Sequence, residues 1–495
     1  MIRNYDIIIV GGGISSLYFL YKLSKDFQYL TKKIVLLESS NRFGGRIESI
    51  ATKDYRYEAG AGRFSEQHKL LVDLMKELGI YENKYAISSD YKKYKKGKFV
   101  NTVADQVIDK ILKKTKNFKD LEETTLIEHC KEILKDKDCQ ILLDEFPYYS
   151  EITILNARDA LDLFSKDFKN SVQYYILTIG LETIIKKLID RISNSFLFKP
   201  KLLKNKFVID IKDNVVITQG TSYRADKIVF GVTRKSLDNI DYFKNIKIND
   251  KPLTSLVQEK PLLRIYTYYK LDENGKSWFN DFPKVITKDG LKFIIPMGGG
   301  LIMISYTDSK YAESMMKLYT EGEDVLIDYL HGEIKKIFNI TPPKPEKLMF
   351  HWYSSGAHYW TKGNYSENYY DKILKPDSNK DIYIIGEAFS KHQAWIEGAL
   401  ETANDVFKKY FSTKVGGGKK YSMKEVAKHK SVNDGWIVVN KNVYKIPKVW
   451  INELHPGGQV IKKYLGTDAT KIWNSIHSSD FSKKKLKSFL IGKLK

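Results

Sequence analysis

The run Tyr5-Asp-Ile-Ile-Ile-Val10 leads directly into Gly11-Gly-Gly13-Ile-Ser-Ser16 and then into an apolar helical pattern. A short β-branched strand, a glycine turn, a helix and a second strand at Ile34–Leu37 leave little freedom in how the chain begins. The arrangement matches a dinucleotide fingerprint at its first two glycines. Gly11 makes the tight turn, and Gly13 lets the backbone approach a pyrophosphate at the helix N-terminus. Ser16 stands where a third glycine is usual, a position that needs a small residue for close helix–strand packing. Glu38, at the end of the second strand, can accept hydrogen bonds from ribose hydroxyls.

The chain has 495 residues, 42% of them hydrophobic and 29% charged, which excludes disorder throughout and predicts two to four domains. Two cysteines, Cys130 and Cys139, exclude a disulfide scaffold and a cysteine zinc cluster. No apolar run approaches the ~18 residues of a membrane span. Asp6 and the glycine cluster argue against a signal peptide. The reading is therefore a soluble, intracellular and most simply cytoplasmic protein.

Alternating apolar runs at Phe207–Ile211, Asn214–Thr218, Ile228–Val232, Arg264–Tyr269 and Leu301–Tyr306 read as strands. A lysine-rich helical pattern is expected from about Glu66 to Phe168. A last strand at Ile382–Ile385 meets a Gly-Glu turn and a helix from about Trp395 to Tyr410. Val415-Gly-Gly-Gly-Lys-Lys420 reads as a flexible linker.

Past the second strand, Glu38-Ser-Ser-Asn-Arg-Phe-Gly-Gly-Arg46 adds two glycines and two arginines. Here the chain resembles the flavin-containing amine oxidases, and the resemblance runs from residue 5 to about residue 410. It implies that Arg42, Gly44, Gly45 and Arg46 lie near the phosphates and ring of a non-covalent FAD. It places Gly386 and Glu387 at the phosphate and ribityl portion, with Ile396 alongside, Val208 at the adenine, and Gly60 among the cofactor contacts. The segment Glu58-Ala-Gly-Ala-Gly-Arg-Phe-Ser-Glu-Gln-His68 is similar to L-amino-acid oxidases. The resemblance gives Arg63 a bidentate pair with the substrate carboxylate, which a planar guanidinium suits. It also gives Tyr306 a hydrogen bond to that carboxylate, and makes Trp395 and Tyr359 the walls of an aromatic cage. His358 stands where some monoamine oxidases carry a flavin-linking cysteine. Arg264 stands where the family usually places a lysine that holds a water against the flavin. A fixed guanidinium is not the same point donor, so dioxygen and an internal acceptor both stay open.

Beyond the linker, His455-Pro-Gly-Gly458, Gly466-Thr-Asp-Ala-Thr470 and His477 resemble a cytochrome b5 domain. The resemblance implies that His455 and His477 are the axial ligands of a haem b, leaving no open site on iron.

The fold class expected is α/β followed by α+β. A Rossmann-like FAD-binding domain (1–62, 175–262, 360–413) is interleaved with a substrate domain of mixed sheet and helices (63–174, 263–359). A linker (414–420) and a cytochrome b5-like domain (421–495) follow. The function expected is oxidative deamination of an amine, foremost an L-amino acid to its 2-oxo acid plus ammonia. Electrons pass to the haem or to dioxygen with release of hydrogen peroxide. A polyamine or monoamine oxidase, or a redox-inactive flavin and haem sensor or scaffold, are the alternatives.

The formal charge of +22 raises nucleic acid as a partner, but no motif for base readout accompanies it, so no specific nucleic acid is expected. From Lys419 to Lys495 there are seventeen lysines, no arginine and five acids, so more than half the excess sits on the haem module. That points to an acidic docking partner or an acidic patch on the flavin domain. Nothing in the sequence specifies an oligomer.

Overall fold

The computed structural model describes residues 2–117, 119–167, 172–195, 197–288, 290–412 and 419–495. It divides into two units. The larger comprises Met1–Phe19, Ile34–Arg191 and Pro200–Val406; the smaller comprises Leu20–Lys33, Ile192–Lys199 and Phe407–Lys495.

The larger unit is built on two seven-stranded sheets. The first has Ile2–Val10 at its centre, parallel to Ile34–Leu37 on one side and to Thr221–Phe230 on the other. Lys201–Leu203 and Ile382–Ile384 extend the parallel part, while Val215–Thr218 and Val208–Lys212 add an antiparallel edge. Ile8, Ile9, Val35, Leu36 and Val229 have no exposed surface, as expected for strands covered on both faces.

The second sheet runs in the order Lys347–Trp360, Val257–Tyr268, Leu301–Asp308, Phe293–Gly298, Val285–Ile286, Lys92–Lys95, Lys98–Asn101. The helices Ser309–Glu321 and Glu323–Phe338 contribute Ala312, Met315, Leu326, Leu330 and Ile334 to the core that buries one face. Four expected domain boundaries, 174/175, 262/263, 359/360 and 420/421, fall inside the strands Tyr174–Leu177, Val257–Tyr268, Lys347–Trp360 and Lys420–Tyr421.

The segment expected to be helical is so only in part. Helices occupy Lys69–Glu77, Ala104–Lys114, Leu126–Ile133, Asp136–Glu145, Tyr149–Thr153 and Ala157–Asp167. Between the first two lie Lys84–Ile87 and a hairpin, Lys92–Lys95 with Lys98–Asn101. Lys96 (φ +52°) and Gly97 (φ +78°) form its two-residue turn, the left-handed pair that matches strand twist. Tyr94 and Phe99 then pack edge-on at 5.1 Å and reach Phe338 and Phe282, so tertiary burial overrides the lysine-rich pattern. Cys130 and Cys139 form a disulfide between the neighbouring helices Leu126–Ile133 and Asp136–Glu145.

In the smaller unit a six-stranded sheet runs Lys420–Tyr421, Leu490–Leu494, Asn442–Ile446, Asp434–Val439, Lys430–Ser431, with Thr467–Asp468 pairing on Asp434–Val439. Of the expected linker, residues 414–418 lie outside the described residues, and Lys420 already pairs with Lys493. Ile437, Val439, Ile446, Ile451, Leu465 and Phe489 form the core, and Phe27 packs edge-on to Trp450 at 5.5 Å and to Phe489 at 5.1 Å. Among the described residues, no helix is long and apolar enough to cross a membrane.

Candidate active site and haem site

In the larger unit, a cavity of about 580 Å³ opens at the carboxyl end of Ile2–Val10, where Gly11, Gly12, Gly13, Ile14 and Ser15 line it. Gly11 adopts φ +93°, and a Cβ there would lie 2.3 Å from the Gly231 carbonyl oxygen, so only glycine fits. A Cβ on Gly13 would meet nothing within 4 Å: it would project into open space beside the N-terminus of the helix Ile14–Ser24. Ser16 is fully buried instead. A Cβ on Gly231 would lie 2.2 Å from its hydroxyl, so Ser16 occupies the tight helix–strand crossing.

Glu38 is held by two backbone donors, Gly12 N–H at 2.6 Å and Ser40 N–H at 2.7 Å, with its carboxylate on the cavity wall. Arg42 bonds Gly45 O at 2.5 Å and Glu48 Oε2 at 2.9 Å, fixing the glycine loop in which it stands. Arg46 reaches across to Glu387 Oε2 at 2.8 Å and Gly356 O at 2.9 Å. Glu387 also accepts from Ala394 N–H at 2.7 Å and from His358. Burial by itself would raise the Glu387 carboxyl. The Arg46 guanidinium, His358 and these hydrogen bonds outweigh it and hold the group well below the usual carboxylate range. His358 is fully buried, and its Nε2 accepts from Arg234 N–H at 3.2 Å, so Nδ1 carries the hydrogen that Glu387 accepts at 2.7 Å.

This wall fits a bound FAD: an open glycine cradle at a helix N-terminus, a fixed carboxylate after the second strand, and a paired arginine. Gly44, Gly45, Gly60, Gly386 and Ile396 line the same cavity. Val208 does not; it is buried in the hydrophobic core, in the strand Val208–Lys212.

At the other end Arg63 donates from Nη2 to the Tyr148 hydroxyl at 2.7 Å. Its guanidinium carbon lies 4.5 Å from the Tyr174 ring and 5.6 Å from that of Trp395, which stack within 6° of parallel. Arg63 makes no ion pair among the described residues. Burial drives the Tyr148 phenol above its usual range despite the neighbouring cation. Tyr306 stands edge-on to Tyr148 at 5.7 Å and directly across the ladder from Arg264. Arg264 bonds the Glu58 carbonyl at 3.0 Å and lies 4.6 Å from the Tyr306 ring. Tyr359 is buried on the cavity wall, and burial pushes its hydroxyl well above the usual phenol range.

The structure thus brings Arg63, Arg264, Tyr306, Tyr359 and Trp395 onto one cavity. Trp395 packs against His68 and Tyr174 and lies beneath the Arg63 guanidinium. Tyr148, Tyr174, Glu151 and Lys284 belong to the site and were not singled out from the sequence. The aromatic doublets Tyr148-Tyr149 and Tyr174-Tyr175 are the only trace they leave there.

In the smaller unit His455 follows the turn of helix Trp450–Leu454 and His477 follows the helix Thr470–Ile476. The Gly458 N–H closes a turn on the His455 carbonyl at 2.8 Å. The two imidazoles stand 6.0 Å apart centre to centre, room for one metal ion with bonds of ~2 Å to each ring. Each has a buried Nδ1 without a hydrogen-bond partner among the described residues, and Trp473 stacks on His477 at 4.0 Å. Ile437, Ile451, Leu465 and Ala469, with the partly buried Ile461 and Ile472, give the module an apolar interior. These residues fit a haem held by two histidines.

Residues 9–78 match the NAD(P)-binding Rossmann-like domain model, and residues 422–495 match the cytochrome b5-like heme/steroid binding domain model. A Dictyostelium discoideum protein named as a flavin-containing monoamine oxidase A is 38% identical over 76 residues, 15% of this chain and 16% of that protein. The cytochrome b5 of Rhizopus stolonifer is 39% identical over 75 residues, 15% of this chain and 56% of that protein. The matches therefore span only part of each of these relatives. Among solved structures, a protoporphyrinogen oxidase structure from Exiguobacterium aligns with TM-score 0.63 at 15% identity, over 82% of this chain and 98% of that one. A redesigned putrescine oxidase aligns with TM-score 0.62 at 14% identity, over 83% of this chain and all of that one. The chain is thus a flavin-oxidase fold opened by a Rossmann-like dinucleotide-binding domain and followed by a C-terminal cytochrome b5 domain.

Proposed function

We propose that the chain is a flavin-dependent oxidoreductase that oxidises the C–N bond of an L-amino acid, giving the 2-oxo acid and ammonia. The observation that carries this reading is Arg63: a cavity-lining guanidinium held by Tyr148, close to Tyr306, and with no carboxylate paired to it among the described residues. A half-buried cation in that state calls for an anionic ligand.

The chain's own residues do the positioning. Arg63 and Tyr306 bind the carboxylate, Tyr174 and Trp395 fix the plane of the guanidinium, and Tyr359 excludes water from the cavity wall. The substrate loses a hydride from its α-carbon and a proton from its nitrogen, and water hydrolyses the imino acid that results. Bound FAD supplies the two-electron acceptor, and a haem on His455 and His477 supplies a one-electron carrier. That both cysteines pair with each other and both ring nitrogens of His358 are engaged supports non-covalent FAD. Arg264 is committed to Glu58 and Tyr306, which supports the haem rather than dioxygen as the outlet.

The test is anaerobic mixing of the holoprotein with a panel of L-amino acids and polyamines while both absorption spectra are followed. Amino acids should bleach the flavin and reduce the haem. Bleaching by polyamines alone would overturn the substrate assignment, and an oxidised haem beside a bleached flavin would overturn the outlet. Arg63→Ala should lower kcat/KM for amino acids by about 100-fold, the loss of a charge-assisted bidentate contact, with plain amines little affected.

A further inference from the structure

The substrate end of the cavity holds more positive charge than one carboxylate needs. Three cationic side chains line it, Arg63, Arg264 and Lys284, and none makes an ion pair among the described residues. The lining acids are largely accounted for. Glu38 is held by Gly12 and Ser40, Glu387 by Arg46, and Asp308 by the N–H groups of Tyr149 at 3.2 Å and Ser150 at 2.9 Å. Glu151, from the helix Tyr149–Thr153, is the remaining acid at this end and offsets one of the three cations.

Lys284 immediately precedes the strand Val285–Ile286, beside the loop that carries Ser88 and Ser89. Its ammonium donates to the Ser88 carbonyl, leaving two of its three hydrogens for another acceptor. Burial, and then the nearby Arg63 cation, hold that ammonium below its usual range against the opposing pull of Asp90. Two like charges kept together in a partly desolvated cavity raise the energy of the empty site. An anion between them relieves both.

Building on the amino-acid reading, we propose that the substrate is a dicarboxylic amino acid of the aspartate or glutamate type. Arg63 and Tyr306 take its α-carboxylate, and Lys284 takes its side-chain carboxylate. Lys284 is then a specificity-determining residue, set apart from the reacting carbon by the length of the substrate side chain. The same cations disfavour a polyamine, whose far ammonium would approach Lys284.

Two measurements on the full-length holoprotein test this. In the first, kcat/KM is compared for L-glutamate, L-aspartate, L-leucine and L-phenylalanine in wild type, Lys284→Gln and Lys284→Arg. An acidic amino acid should be the best substrate. Lys284→Gln should lose about 10- to 100-fold on it through KM, far more than on L-leucine, and Lys284→Arg should recover part of that loss. In the second, glutarate and butyrate are compared as thermal stabilisers. Glutarate should raise the melting temperature of wild type more than butyrate does, and the difference should vanish in Lys284→Gln.

Preference for neutral amino acids, with equal losses on both classes, would overturn the dicarboxylate assignment while leaving amino-acid oxidation standing. Flavin bleaching by no amino acid would overturn both. Turnover of a tetrapyrrole dicarboxylate in place of any amino acid would keep the two anionic contacts but overturn the substrate class.

Discussion

Arg63 and His351 show how the larger unit treats charge at the level of single residues. Arg63 stays cationic within a ring of aromatic side chains, whereas burial and the Arg264 cation hold the His351 imidazole down at about 4. Its Nε2 and the Tyr57 hydroxyl share a hydrogen bond of 3.0 Å. The unfolded chain takes up a proton on this histidine near pH 6.5, and the fold does so only near 4. The stability it contributes is therefore complete above 6.5 and is lost as pH falls from 6.5 towards 4. Urea midpoints should drop across that window. His351→Gln, which keeps an acceptor for Tyr57 but does not titrate, should flatten this part of the curve. A variant curve as steep as wild type would refute the assignment. At this scale the motif residues were legible, because glycines, the Glu38 carboxylate and paired arginines leave spaced signatures. Tyr148, Tyr174 and Lys284 were not, because their roles arise only when strands distant in sequence converge.

At the scale of elements, Gly11 and Gly13 separate folding from cofactor binding. A methyl group on Gly11 strains a left-handed backbone, which costs about 1–3 kcal/mol, and also meets the Gly231 carbonyl oxygen. Gly11→Ala should therefore lower both the melting temperature and the flavin content of purified protein. A methyl group on Gly13 meets no protein atom within 4 Å, so Gly13→Ala should melt like wild type when stripped of flavin and yet bind flavin poorly. Equal thermal losses in the two apoproteins would contradict this. The strands were readable from alternation, since half-buried strands must alternate. The Lys92–Asn101 hairpin escaped because its lysines mask the Tyr94 and Phe99 that anchor it. The long edge strand Lys347–Trp360 carries a stretch of partly buried aromatic and polar residues with no clear period.

For the molecule as a whole, charge is unevenly shared. Seventeen lysines against five acids between Lys419 and Lys495 give the haem module a field that suits an acidic redox partner. Electron transfer to such a partner should slow several-fold as salt rises from 20 to 300 mM, since the Debye length shortens over that range to below ~8 Å. Stopped-flow rates that ignore ionic strength would refute this. His477→Ala should abolish the haem absorption while flavin bleaching by substrate persists, separating the two redox sites in one protein.

The ion pair between Arg46 and Glu387 closes over 341 positions of chain. During synthesis the amino-terminal cradle emerges early, but its carboxylate partner and the strand Ile382–Ile384 arrive only when most of the chain has been made. A ribosome stalled before residue 387 would carry a chain with the glycine turn but with Arg46 lacking its counterion. Capture of the proposed flavin would then come late in synthesis, and nascent chains halted short of that point should take up no flavin.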